Sequence, residues 1–320
     1  MIKLSIVSTL YSSAAYIDQF HSRAGSVARQ LVGEDYEIVL VNDGSPDDSL
    51  GRAVRLVQTD PHVVVVDLAR NFGHHRAMMI GLAHAKGEWI FLIDSDLEEE
   101  PEWLLDFDQQ RQDEGVDVVY GIQETRKGAL PERLSGWLFY RVFRALTGVA
   151  QPDNVVTARL MSRRYLEALL SHQERELNIG GLWVTTGFDQ SSRVVVKHQS
   201  SPTTYSWRRK IDLLINAVAS FSSRPLVFVF YFGLLISFSA SLFIAGLLIQ
   251  YFFIAQPVSG YTSVIASIWL FSGLIILFLG IQGIYLSKIF IEVKQRPYSI
   301  IRRVYRAGGN EEPDQERSGR

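Results

Sequence analysis

The chain has 320 residues, with 32 Lys and Arg against 34 Asp and Glu and a formal net charge of −2. Charge therefore gives no case for nucleic acid as a partner. There is no cysteine, which excludes a disulfide framework, a thiolate nucleophile and a thiolate metal site, and suits a reducing compartment.

The N-terminal run MIKLSIVSTLY holds too short an apolar stretch for a signal peptide. From there the first 120 residues alternate between strand and helix patterns. Leu4–Ser8 reads as a strand, 14–31 as a helix, Tyr36–Val41 as a second strand and 48–58 as a helix. Val63–Val66 is a third strand, 75–85 a helix, Trp89–Ile93 a fourth strand, 102–113 a helix and Val116–Tyr120 a fifth strand. Strands this apolar are covered on both faces, as in parallel sheets, and the alternation predicts an open α/β fold with a mostly parallel, Rossmann-like sheet. In such a sheet ligands bind in the crevice at the carboxyl ends of the strands. Those ends carry Thr9 and Tyr11, then Asn42, Asp43, Gly44 and Ser45, then Asp67, Arg70 and Asn71, then Asp94 and Asp96.

The stretch WIFLIDSDLEEEP (89–101) runs a buried strand into two aspartates one residue apart. Side chains at i and i+2 of an extended segment point the same way. Two such carboxylates suit Mg²⁺ or Mn²⁺, which takes oxygen ligands and is often held by one or two carboxylates plus substrate phosphates. A solvated turn is the other reading of the triplet. Arg70-Asn71-Phe72-Gly73-His74-His75-Arg76 opens a helix, where an anion is attracted and an arginine adds bidentate contacts. His74 and His75 read as surface residues of that helix start. No G-x-G-x-x-G follows the first strand and there is no G-x-x-x-x-G-K-[ST], so the usual dinucleotide and P-loop readings fail.

Residues 126–147 (RKGALPERLSGWLFYRVFRALT) place apolar residues at helical spacing beside Arg133, Arg141 and Arg144. They read as an interfacial helix over 130–147 or as a core helix on the sheet. Between Arg224 and Lys288, 63 consecutive residues carry no Asp, Glu, Lys or Arg. One span needs about 20 apolar residues, so the run suits two, at about 226–254 and 263–287, broken at Gln256-Pro257-Val258-Ser259-Gly260. A buried helical hairpin is the alternative. Basic residues flank both ends (Arg208, Arg209, Lys210 and Arg224 before; Lys288, Lys294, Arg296, Arg302, Arg303 and Arg306 after) and none lies in the connection. Both flanks are thus expected on the cytoplasmic side. The tail after Ala307 is polar and expected to be disordered.

In this order the motifs resemble a known family. Ser5-Ile6-Val7, Val41-Asn42-Asp43-Gly44-Ser45, Arg70-Asn71-Phe72-Gly73, Asp94-Ser95-Asp96-Leu97, Pro101-Glu102, Arg159-Leu160-Met161-Ser162-Arg163 and Ser220-Phe221-Ser222-x-x-Pro225 are followed by the apolar run. The chain resembles membrane-anchored family 2 glycosyltransferases with a GT-A fold, in particular polyprenyl-phosphate glycosyltransferases related to dolichol-phosphate mannose synthase and to bacterial O-antigen-modifying glucosyltransferases. The resemblance implies a GT-A domain over 1–220, a transmembrane hairpin over 221–291 and a basic, disordered cytoplasmic tail over 292–320. It implies a multi-pass protein of the inner membrane, with the catalytic domain and both termini cytoplasmic.

The implied reaction is metal-dependent, inverting transfer of a sugar from a nucleotide-sugar to undecaprenyl phosphate for envelope polysaccharide. In the family the residue matching Asp43 contacts the base, the pair matching Asp94 and Asp96 binds Mg²⁺ or Mn²⁺, and the residue matching Arg159 lies near a phosphate. Asp96 and Arg159 are thus the expected catalytic residues. Thr9, Tyr11, Asp43, Asp67, Arg70, Asp94, Arg163 and Tyr205 are the expected substrate contacts. A homo-oligomer is left open.

The sequence departs from the family at the acceptor side. A carboxylate often proposed there as general base is Thr157, the loop lysine is absent from Ser201-Pro202-Thr203-Thr204-Tyr205, and the first strand ends in Thr9-Leu10-Tyr11-Ser12-Ser13. A lipid phosphate is already an anion near neutral pH and needs no base. A sugar hydroxyl would need one. The rival expectations are transfer to a hydroxyl of a lipid-linked oligosaccharide and an inactive membrane scaffold.

Overall fold

A computed structural model describes residues 1–123, 154–172, 174, 179–197, 218, 222, 224–254, 260–297 and 299–311. β1 (Leu4–Leu10), β2 (Tyr36–Asn42), β3 (Val63–Leu68) and β4 (Trp89–Leu92) run parallel in the spatial order β4-β1-β2-β3. Every residue of β1, β2 and β3 is buried, as Val- and Ile-rich strands covered on both faces require. The connecting helices are α1 (Ile17–Val32), α2 (Ser49–Thr59) and α3 (His74–His84), with α4 (Trp103–Glu114) after β4.

Alternating side chains split the core into two layers. Ile6, Ile38 and Val65 pack with Phe20, Ala53 and Phe107 of α1, α2 and α4. Val7, Val39 and Val66 pack with Met79 and Ile80 of α3. Gly81 sets the approach of α3 to the sheet: a Cβ there would lie 2.6 Å from Val7 Cγ1 and 2.8 Å from Val41 Cγ2.

The rest of the sheet is mixed. β5 (Val118–Gln123) and β6 (Val155–Ser162) are antiparallel to each other, and β6 is antiparallel to β4. α5 (Arg163–Leu170) and α6 (Ile179–Thr185) join the α3 layer, and β7 (Gln190–Val195) lies parallel to β5 at the edge. With β8 (Ile301–Arg306) and β9 (Gly309–Glu311), the described residues form a nine-stranded sheet of order β7-β5-β6-β4-β1-β2-β3-β8-β9.

Its last two strands correct an expectation. Within the tail expected to be disordered, β8 (Ile301–Arg306) pairs antiparallel with β3, and β9 (Gly309–Glu311) pairs with β8. Ile301 and Val304 are buried in the core layer of α3, while Arg302 and Arg303 stay exposed and give the segment its tail-like composition. The chain thus rejoins the first unit from about residue 295 on, instead of ending in a separate tail.

The second unit carries α7 (Arg224–Ile254) and α8 (Tyr261–Lys294). Both are apolar around the whole circumference rather than along one stripe. Phe232 meets Phe278 edge-on, and Tyr285 Oη donates to the Ser222 carbonyl at 2.7 Å. Phe228, Phe230, Trp269 and Leu286 are each more than 60% exposed. Large exposed apolar surfaces of this kind mark contact with another apolar phase or partner. Among the described residues, one segment, Ser267–Lys294, is long and apolar enough to cross a membrane. The helix expected over 130–147 lies outside the described residues.

Candidate active site

The carboxyl ends of β1 to β4 open on one side of the sheet because the strands are parallel. The loop after β2 is shaped by Gly44, at φ 60°. A Cβ on it would run into the Asn71 backbone nitrogen and sit 2.6 Å from the Arg70 carbonyl carbon. Glycine therefore lets the 70–73 loop close over β2. Asp43 holds that loop from below: its two oxygens accept the N–H groups of Phe72 at 2.7 Å and Gly73 at 3.0 Å. Burial pushes the Asp43 carboxyl up, against the pull of those donors.

The Asp-Ser-Asp triplet is pinned through its middle residue. Ser95 is buried and its hydroxyl bonds the Thr9 carbonyl at 2.8 Å and Ser13 Oγ at 3.1 Å. Asp94 is partly enclosed, and Asp96 is exposed. Asp94 Oδ2 accepts from Thr157 Oγ1 at 2.8 Å, and Asp94 Oδ1 lies 3.4 Å from His74 Nε2. His74 Nδ1 in turn lies 3.0 Å from Thr9 Oγ1. Thr157 also gives its backbone N–H to Glu99 Oε1 at 3.0 Å, and Lys197 Nζ reaches the same oxygen at 3.0 Å. Burial pushes the carboxyls of both Asp94 and Glu99 up, reinforced by their neighbouring negative charges.

Asp94 and Asp96 fit the expected divalent cation. Their donors are hard oxygens, and a desolvated carboxylate beside like charges gains from a cation. Among the described residues no group of three or more His, Cys, Asp or Glu could hold a metal ion, so a ligand's phosphates and water would complete the shell.

Arg159 lies deeper. It sits opposite Leu92 of β4 and Tyr120 of β5, is 1% exposed, and its guanidinium stacks on the Trp183 ring. Burial pulls its pKa down, but an arginine stays charged at neutral pH. Among the described residues its Nε and Nη1 have no hydrogen-bond partner, so this buried donor set is left unsatisfied.

Other expected contacts fall elsewhere. Asp67 is 1% exposed and engaged, accepting from Asn42 Nδ2 at 2.8 Å and pairing with Arg302 at 3.3 Å. It offers a ligand no surface and instead ties β2, β3 and β8 together. Arg163 is at the wrong end of the sheet. β6 runs against β4, so four residues past Arg159 the chain has returned to the start of β4, where Arg163 bonds the carbonyls of Ala85 and Gly87. Tyr11 is 54% exposed at the turn after β1, and Arg70 is exposed with its guanidinium 4.2 Å from the Phe72 ring centre. Both are open to a ligand. Tyr205 lies outside the described residues. The sequence reading missed His74 as a site residue, together with Glu99 and Lys197. The His74–Thr9–Asp94 contacts join three separate segments and leave no local pattern. The triple glutamate of 98–100 was a visible signal for Glu99.

The family model described as glycosyl transferase family 2 matches residues 5–170. A Mycobacterium tuberculosis protein with a provisional glycosyltransferase name is 46% identical over 95% of this chain and 89% of its own length. The uncharacterized Bacillus subtilis glycosyltransferase YkcC is 32% identical over 95% of this chain and 94% of its own. The SfII prophage-derived bactoprenol glucosyl transferase of Shigella flexneri is 30% identical over 95% of this chain and 99% of its own.

Proposed function

The chain belongs to glycosyl transferase family 2, and from that premise we propose that it transfers a sugar from a nucleotide-sugar to a polyprenyl phosphate, with inversion, at the cytoplasmic face of a membrane. The observation that carries the reading is the Asp94–Asp96 pair at the carboxyl end of β4, beside the helix start fixed by Asp43. The bactoprenol glucosyl transferase name of a relative that aligns over nearly its full length supports the acceptor class.

In this reading a phosphate oxygen of the lipid attacks the anomeric carbon, and the bond from that carbon to the diphosphate oxygen breaks with its electron pair. A divalent cation held by Asp94 and Asp96 would supply charge neutralisation for the nucleoside diphosphate. The chain's own residues bind, orient and shield. Asp43 keeps the 70–73 loop in place, and Tyr11 and Arg70 stand open to the donor. Arg159 offers buried N–H groups to an anionic oxygen. Thr157, whose hydroxyl is already given to Asp94, is not placed to take a proton, which agrees with an acceptor that is already ionised.

The helical unit supports a membrane setting. It is preceded by β7 and followed by β8, strands of one sheet. A segment that leaves and rejoins one sheet crosses a bilayer an even number of times or not at all, which favours two crossings by α7 and α8. Basic flanks favour cytoplasmic ends.

The test is incubation of the purified full chain with Mn²⁺ or Mg²⁺, a panel of nucleotide-sugars and either undecaprenyl phosphate or a lipid-linked oligosaccharide. Glycosylation of the lipid phosphate is expected. Transfer to the oligosaccharide alone would replace this reading with the hydroxyl-acceptor one.

A further inference from the structure

Lys197 lies two residues beyond the end of β7, outside every strand-end motif. Its side chain is 18% exposed and its ammonium is 3.0 Å from Glu99 Oε1 and 3.9 Å from Glu98 Oε2. Glu99 has no exposed side-chain surface, and its Oε1 is also fixed by the Thr157 N–H. Thr157 in turn holds Asp94 through its hydroxyl. The lysine is thus linked to the Asp94 carboxylate through Glu99 and Thr157, and is not a surface cation that happens to lie close. Burial works against its charge, yet Glu99, Asp94 and Asp96 together keep its pKa above the ordinary lysine value.

The charge balance gives this placement a purpose. Asp94 feels the charges of Asp96 and Glu98, and the buried Glu99 feels that of Asp94, so four carboxylates act on one another here. One divalent cation leaves that cluster net negative, and a nucleoside diphosphate entering it meets like charge. An ammonium has three donors, and Glu99 takes one at bonding distance.

We propose that Lys197 is a diphosphate-binding residue of the donor site, anchored by Glu99 and placing a fixed positive charge beside the Asp94–Asp96 pair. The inference rests on the donor-site reading above and adds a residue from the far edge of the sheet. When the anomeric carbon–oxygen bond breaks, the electron pair leaves on the diphosphate, and Lys197 offsets that charge without giving up its proton.

The experiment compares the full chain with Lys197→Met and Lys197→Arg. Mn²⁺ alone is titrated by electron paramagnetic resonance, UDP and GDP with Mn²⁺ by calorimetry, and kcat and KM for the donor by transfer assay. Lys197→Met should bind Mn²⁺ as tightly as the parent or more tightly, because a competing cation has gone. It should lose about tenfold or more in nucleoside diphosphate affinity, the scale of one charge-assisted contact. Lys197→Arg should recover part of that loss. Nucleoside diphosphate affinity within about twofold of the parent in Lys197→Met, against that tenfold expectation, overturns the proposal. So does a parallel loss of Mn²⁺ binding, which would make Lys197 a prop for the carboxylates. If the parent itself bound neither nucleotide, the donor-site reading would fall, and this inference with it.

Discussion

Thr157 Oγ1 donates a 2.8 Å hydrogen bond to Asp94 Oδ2, so the hydroxyl on β6 is committed to the carboxylate at the end of the neighbouring strand. Its role is to orient Asp94 and to favour the charged form. Thr157→Ala should lower kcat by no more than about tenfold, the worth of one hydrogen bond. The bond holds the Asp94 pKa down against burial. Its removal should therefore move the acid limb of the pH–rate profile to higher pH. A loss of several orders of magnitude, equal at every pH, would instead give Thr157 a direct part in the chemistry.

Asp96→Asn should abolish transfer and leave the fold unchanged. The side chain is exposed, so no cavity forms, and the Glu98 N–H that it accepts at 3.0 Å can bond the amide oxygen. Loss of a charged oxygen ligand at a metal–diphosphate site is expected to remove several kcal/mol of transition-state stabilisation. Retained activity with Mn²⁺ present, together with an unchanged melting curve, would contradict the assignment.

The metal-free protein should become less stable as pH rises toward neutrality. Asp94 and Glu99 have folded-state pKa values above their unfolded ones because burial disfavours the charge. The folded state therefore holds these protons more tightly, and the stability they confer is lost as pH rises through the folded pKa values. Carboxylates held below their ordinary values, such as Asp60 and Asp117, act in the opposite sense, but only below the usual carboxylate range of roughly 4. His74, whose pKa burial lowers, also acts in the opposite sense, up to the usual histidine value of roughly 6.5, one proton against the two of Asp94 and Glu99. Thermal melts between those limits should show the slope, and Mn²⁺ with a nucleoside diphosphate should flatten it. A melting temperature that rises toward neutrality in the stripped protein and in its His74→Gln variant alike would count against the carboxylate geometry.

Arg302→Ala should destabilise the sheet although Arg302 is 58% exposed, because its partner Asp67 is 1% exposed. The change leaves a buried carboxylate oxygen without its charged donor, at about 1–3 kcal/mol. Urea unfolding measures the loss. The Arg302→Ala, Asp67→Asn double variant should recover part of it, and a fully additive double variant would show that the two side chains do not interact.

Much of the crevice at the strand ends was legible in the sequence. Val- and Ile-rich runs ending in Asn42-Asp43 and Asp94-Ser95-Asp96 fix strands, direction and crevice together, since parallel strands put all their carboxyl ends on one side. Arg163 was misplaced because pattern alone does not reveal that β6 runs backward, which turns four residues of chain into the length of the sheet. Lys197 was invisible because nothing local marks it: its partners, Glu98 and Glu99, lie about a hundred residues earlier in the chain. β8 was hidden by its arginines: the exposed Arg302 and Arg303 sit between the buried Ile301 and Val304, and the run reads as tail.

The Asp67–Arg302 pair joins positions 235 residues apart, and this sets an order of events during synthesis. β3 leaves the ribosome long before β8, and both long apolar helices are made between them. Until then β3 presents unpaired backbone groups, a surface that recruits stray strands. The nascent domain must therefore wait, half-shielded, while the helices find their own surroundings. β8 then closes the seam like a latch, so that a chain interrupted before residue 301 would leave a sheet with an open flank.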